Sequence, residues 1–111
     1  MQFDILTIFP LAFGGYLNES MIKRGRATHV LDIRVHDIRA FSRDRHRKVD
    51  DRPYGGGPGM VMRVEPIVRA LEKIVKKKAD KKKIKLVLMS ASGAQFTQDR
   101  ARQWAKKYDH L

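Results

Sequence analysis

Two stretches of this chain carry residue types that could do chemistry. The first is Asp44–Met60, DRHRKVDDRPYGGGPGM. Its second half, Tyr54–Met60, places glycine at four of the five positions 55–59. Without Cβ atoms, that backbone can adopt positive φ and approach a flat or phosphorylated ligand closely. It is neither a P-loop nor a dinucleotide fingerprint: no Lys-Ser/Thr pair follows, and no strand leads into it. A mobile connector is the competing reading of the glycines. Just upstream, Arg43–Arg52 mixes five Arg or Lys with three Asp. Arg43, Arg45, Arg47 and Lys48 suit RNA phosphates, and Asp50 or Asp51 could orient a base or pair with an arginine. A solvated, salt-bridged loop is the alternative. His46 with Asp50 is too sparse for a metal site. His46 has the intrinsic pKa of an acid–base group, but nothing in the sequence positions it.

The second stretch is Ser90–Gly93, SASG, between an expected strand and an expected helix. Open α/β sheets bind ligands at such places, and small residues leave backbone groups free to hydrogen-bond a nucleotide-like cofactor. An ordinary βα turn explains the same residues.

Elements must position these stretches. Phe3–Ile8 has the pattern of a short buried strand, and Leu31–His36 alternates as a half-exposed one. Leu11–Ala27 has helical spacing at Leu17, Met21 and Ile22, with a break expected at Gly14–Gly15. Ala40–Gly59 shows no periodicity, and a loop of that length in a compact domain is functional or disordered. Glu65–Lys77 is an amphipathic helix with Pro66 in its first turn and a stripe of Ile67, Val68, Leu71, Ile74 and Val75. Lys76–Lys83 is a solvated helix end and turn. Ile84–Met89 is expected as the third strand, and Thr97–Tyr108 as the last helix, burying Ala101, Trp104, Ala105 and Tyr108. The alternation predicts an α/β fold with a parallel sheet. It forms one half-domain, and a further strand is expected after YDHL.

Composition narrows the partner. The 111 residues carry 24 Lys and Arg against 12 Asp and Glu, a net charge of +12, which favours a polyanion such as nucleic acid. An anionic membrane surface is the competitor. No run nears the ~20 apolar residues that span a bilayer, and the start lacks a signal peptide's basic region. The absence of cysteine excludes disulfides and thiolate metal sites. A cytoplasmic protein is expected.

Taken together, FDILTIFPLAF, then DRHRKVDDRPYGGGPGM, then LMSASG resemble the bacterial tRNA (guanine-N1)-methyltransferase family. That resemblance implies a SPOUT-class α/β domain with a trefoil knot around S-adenosylmethionine. It further implies methylation of guanine-37 N1 in tRNA, a homodimer, and assistance by magnesium (Mg2+). By the same resemblance, Met89, Ser90, Ala91 and Gly93 line the cofactor pocket. Arg43, His46, Asp50, Tyr54, Gly55, Gly56, Gly57 and Gly59 face the tRNA. Where this chain has Ser90-Ala91-Ser92-Gly93, the family has Ser-Pro-Gln-Gly. Family members are longer, so residues 1–111 correspond to the N-terminal part of the SPOUT domain. The expectation is an incomplete knot, no C-terminal tRNA-binding domain, no general base and no metal ligand in this chain, and no methylation by it alone. A non-catalytic RNA-binding module, or one half of a split protein, is the alternative.

Overall fold

The computed structural model describes residues 1–75 and 83–111. Of the lysine-rich stretch, all but Lys83 lies outside the described residues, as do the last two positions of the helix expected to reach Lys77.

Strand β1 (Gln2–Thr7) pairs in parallel with β2 (Asp32–Asp37), from Gln2↔Asp32 to Thr7↔Asp37. Between them the chain runs through a 3-10 turn (Pro10–Phe13), helix α1 (Gly14–Leu17) and helix α2 (Ser20–Ala27). Pro10 sits in the first turn, where its missing N–H breaks no helical bond. The break expected at Gly14–Gly15 falls later, because both glycines lie within α1. Asn18 ends α1 by donating its side-chain amide to Gly14 O at 2.7 Å, and the extended Glu19 redirects the chain. Arg26 then donates to Leu17 O at 3.2 Å and to Asn18 Oδ1 at 2.8 Å, fastening α2 across the corner. Gly25 permits close approach to the entry of β2: a Cβ there would lie 2.7 Å from Leu31 Cδ1.

On its other side, β1 meets residues 109–111. Gln2 N–H donates to Asp109 O at 2.8 Å, Leu111 N–H to Gln2 O at 3.0 Å, and Asp4 N–H to Leu111 O at 2.9 Å. Beyond them lies the 83–85 segment: Lys85 N–H donates to His110 O at 2.9 Å, and Asp109 N–H to Lys83 O at 3.0 Å. Both contacts are parallel. The backbone rows are therefore ordered 32–37, 2–7, 109–111, 83–85. An inner place for β1 explains its apolar character on both faces.

This arrangement corrects one expectation. Ile84–Met89 does not form a strand; Ile84 makes only an isolated bridge to His110. The place beside β1 is taken by 109–111, and that row reaches only as far as Lys85. Leu86 and Leu88, 60% and 91% exposed, follow without a strand partner. An apolar run states that a segment suits a sheet, but not that a row is free to receive it.

Helix α3 (Val64–Val75) packs Pro66 and Ala70 against a 3-10 turn (Ile38–Phe41), which opens where Asp37 Oδ1 accepts Arg39 N–H at 2.9 Å. Pro66, Ala70, Ile38, Val49 and Leu17 form the buried centre. The expected stripe on α3 shifts accordingly: Val68 is exposed, and Pro66 and Ala70 are the buried positions. Helix α4 (Gln98–Lys107) starts at Thr97, whose hydroxyl accepts Arg100 N–H at 3.3 Å. It half-buries Ala101, Trp104 and Tyr108 but exposes Ala105.

Candidate functional site

The loop after the 38–41 turn is more ordered than its charge suggests. Asp44 Oδ1 accepts backbone N–H groups from His46 at 2.8 Å and Lys48 at 3.3 Å. These two bonds hold the Asp44 carboxyl below its usual value. Ser42 Oγ donates to Lys48 O at 2.7 Å and accepts Asp44 N–H at 3.2 Å, closing the base of the basic turn. Arg47 completes it at φ 54°. The buried Val49 anchors the exit, where Arg63 N–H donates to its carbonyl at 2.8 Å.

Beyond Val49, strands β3 (Asp50–Asp51) and β4 (Val61–Met62) form a short antiparallel hairpin in the register Asp50↔Met62 and Asp51↔Val61. Its tip is the glycine run. Gly56, Gly57 and Gly59 have φ of 70°, 110° and 93°, conformations that side-chain-bearing residues adopt only with strain. Tyr54 at this tip is fully exposed.

The residues singled out in the sequence as tRNA-facing lie on the basic turn and on the hairpin that follows it. Arg43, His46, Asp50, Tyr54, Gly55, Gly56, Gly57 and Gly59 all lie exposed on one continuous excursion. The side chains of Arg43, Arg45, Arg47, Lys48 and Arg52 form no ion pair among the described residues. The nearby carboxylates bond the backbone instead: Asp44 Oδ1 accepts N–H groups of the turn, and Asp51 Oδ1 accepts Arg52 N–H at 2.8 Å. The salt-bridged reading of this loop is thereby set aside.

Met89, Ser90, Ala91 and Gly93 lie on the other candidate stretch, and all four are exposed. Gly93 N–H donates to Ser90 O at 3.0 Å and closes the turn. A Cβ on Gly93 would sit 3.0 Å from that same carbonyl, so the turn favours glycine. Among the described residues, no hydrogen bond or ion pair joins this turn to the hairpin. No group of three or more His, Cys, Asp or Glu among the described residues has the geometry to hold a metal ion.

Sequence reasoning missed a third constellation. Asp4 Oδ1 lies 2.6 Å from His36 Nε2, and Asp4 Oδ2 lies 2.5 Å from His110 Nε2. Gln2 donates its amide to Oδ2 at 2.6 Å. The Asp4 side chain is 4% exposed and that of His110 6%. Burial pushes the Asp4 carboxyl up, but bonds from His36, Gln2 and His110 outweigh it and leave the group below its usual value. The available signal was Asp4 itself: a carboxylate inside an apolar strand must find donors. The sequence did not say that one donor would come from position 110.

A parallel β-α-β unit whose second strand leads through a 3-10 turn to a basic loop defines the class, an α/β protein. Comparison with known proteins narrows this class. A family described as "tRNA (Guanine-1)-methyltransferase TrmD" matches residues 1–111. The tRNA (guanine-N(1)-)-methyltransferase of Thermomicrobium roseum is 50% identical over 105 residues, covering 95% of this chain and 38% of the relative. That of Geobacter metallireducens is 50% identical over 109 residues, covering 98% and 43%. The crystal structure of tRNA (m1G37) methyltransferase from Aquifex aeolicus superposes with a TM-score of 0.84 at 29% identity, covering 100% of this chain and 48% of that one. The chain belongs to the tRNA (guanine-1)-methyltransferase family. It spans less than half the length of these relatives.

Proposed function

We propose that the chain provides the tRNA-facing hairpin and part of the cofactor pocket of an S-adenosylmethionine-dependent tRNA (guanine-37-N1)-methyltransferase. The observation that carries this reading is the set of cations in 43–52 without ion pairs, set beside an open glycine tip. Unpaired Arg and Lys on a tethered turn can displace counterions from RNA phosphates at no cost in broken salt bridges. Arg43, Arg45, Arg47 and Lys48 hold the backbone of the tRNA loop. Gly55–Gly59 let the hairpin approach an extruded guanine closely, and Tyr54 offers a face for stacking. Asp50 and His46 present polar edges in the same segment.

Transfer to guanine N1 is chiefly a positioning problem, since the nitrogen and the methyl must meet in line. S-adenosylmethionine supplies an electrophilic methyl when bound. Met89, Ser90, Ala91 and Gly93 offer it a bare-backbone turn, and the tight Gly93 geometry suits close approach. The proton on N1 needs a base. His46 uses its backbone N–H within the turn, while among the described residues its ring has no hydrogen-bond partner that orients it. The base is therefore assigned to a part of the family's length that this chain does not span, and no catalytic residue is assigned here. The described residues hold no cluster of carboxylates that fits magnesium. A cytoplasmic homodimer is part of the same proposal. Among the described residues, no helix is long and apolar enough to cross a membrane.

The test is a gel shift of this chain with unmodified tRNA at increasing salt. Log affinity should fall linearly with log salt. A complex that salt does not weaken, or no complex at low salt, would refute the reading. The exposure of Leu86–Gly93 favours a second reading, a non-catalytic RNA-binding module. Calorimetric titration separates the two: tRNA binding without any S-adenosylmethionine binding favours the module.

A further inference from the structure

We infer that Asp4, acting through His110, is a positioning residue for the Ser90–Gly93 turn. The inference rests on the reading of that turn as the cofactor site. The carboxylate holds two imidazoles, one on each oxygen, at 2.6 and 2.5 Å. His36 belongs to β2, so that contact ties neighbouring strands. His110 belongs to the row 109–111, and among the described residues that row carries the 83–85 segment through backbone bonds. His110 O accepts Lys85 N–H at 2.9 Å, and Lys83 O accepts both Asp109 N–H at 3.0 Å and His110 N–H at 3.3 Å. From Lys85 the chain runs five residues, exposed from Leu86 onward, into Ser90. The His110 side chain is thus a buried fixing point at the start of the approach to the turn, where the Lys85 ammonium also lies 5.7 Å from the Trp104 ring. A Lys83–Asp109 ion pair at 3.0 Å supplements it at the surface, where such pairs contribute little.

The geometry also sets the His110 tautomer. Nε2 faces a carboxylate oxygen and so carries the proton. Nδ1 is buried and has no hydrogen-bond partner among the described residues. A bare Nδ1 avoids burying an N–H without an acceptor. Among the described residues, Asp4 is therefore the hydrogen-bond partner that orients the ring. Replacing His110 by Gln keeps a side-chain N–H for Asp4; replacing it by Leu keeps bulk and removes the donor.

The experiment is nuclear magnetic resonance on the whole chain, as wild type, His110→Gln, His110→Leu and Asp4→Leu. In the wild type, the ring resonances should show Nε2 of His110 protonated and Nδ1 bare. In His110→Leu, amide exchange at Lys85 and Leu111 should quicken about tenfold or more. Amide resonances of Ser92 and Gly93 should move with it, while those of α3 stay. His110→Gln should restore both. A general loss of stability would move α3 as well and would not be rescued by Gln. Unmoved Ser92 and Gly93 resonances in His110→Leu would overturn the inference. If the Leu variants fail to fold, the wild-type ring resonances still decide it, because an unprotonated Nε2 contradicts the clasp. Titration with S-adenosylmethionine forms a separate arm. Absence of binding in wild type removes the cofactor reading of the turn, and leaves the clasp to stand or fall on the resonances.

Discussion

The chain handles polar groups in two opposite ways. Along β1, every charge is enclosed and answered: Asp4 receives His36, His110 and Gln2 within hydrogen-bond distance. Along residues 43–52 the cations form no ion pair among the described residues, while nearby aspartates bond the backbone. The same residue types hold the fold together in one region and face outward in the other. The difference is one of solvent. A buried carboxylate without donors costs several kcal/mol, whereas exposed arginines cost almost nothing to leave unpaired and stay available to a polyanion.

If this contrast holds, perturbing the two regions should give separable results. Asp4→Leu should give the largest effect, a loss of about 3 kcal/mol in denaturant unfolding, because two imidazole N–H groups lose their acceptor inside the sheet. A loss under about 1 kcal/mol would mean that the cluster is solvated and the contrast false. Replacing Arg43, Arg45, Arg47 and Lys48 together by Ala should shift unfolding by no more than about 0.5 kcal/mol. It should also flatten the slope of log tRNA affinity against log salt by about 3. A stability loss comparable to that of Asp4→Leu would place those cations among the groups that hold the fold. Gly57→Ala should cost about 1 kcal/mol, since φ is 110° there although space is open. Its effect on tRNA binding should exceed its effect on the sheet, read by amide exchange in β1.

The smallest effect is the pH dependence. The folded carboxyl of Asp4 lies below its unfolded value, so its stabilisation is fully present above the unfolded value of about 4. That contribution is lost as pH falls through the folded value. Asp4→Asn should flatten this acid limb in unfolding measured against pH. An unchanged limb would assign the slope to other carboxylates, such as Asp44, which is also lowered.

The parts legible in the sequence are those that depend on local pattern. Phe3–Ile8 and Leu31–His36 declared their strands by apolar content and alternation, and each lies within one residue of its observed bounds. The glycine run declared its backbone freedom, and positive φ at Gly56, Gly57 and Gly59 bears that out. The parts not legible depend on a partner far along the chain. Ile84–Met89 has the composition of a strand, but Asp109–Leu111 occupies the row beside β1. Asp50–Asp51 and Val61–Met62 are too short to show a period, yet they pair beside the buried Val49, whose carbonyl accepts Arg63 N–H at the hairpin's base. The Asp4–His110 contact spans 106 positions, and no spacing rule reaches across that separation.

Trp104 has a consequence of its own. It is the only tryptophan in the chain. Its ring lies 5.3 Å from that of Phe96 and 5.7 Å from the Lys85 ammonium. Those two residues bracket Leu86–Gln95, so the indole stands at both ends of the segment that contains the Ser90–Gly93 turn. Its emission is a built-in optical gauge of that segment. A ligand that orders the turn will change the colour and polarisation of this single fluorophore, with no label attached.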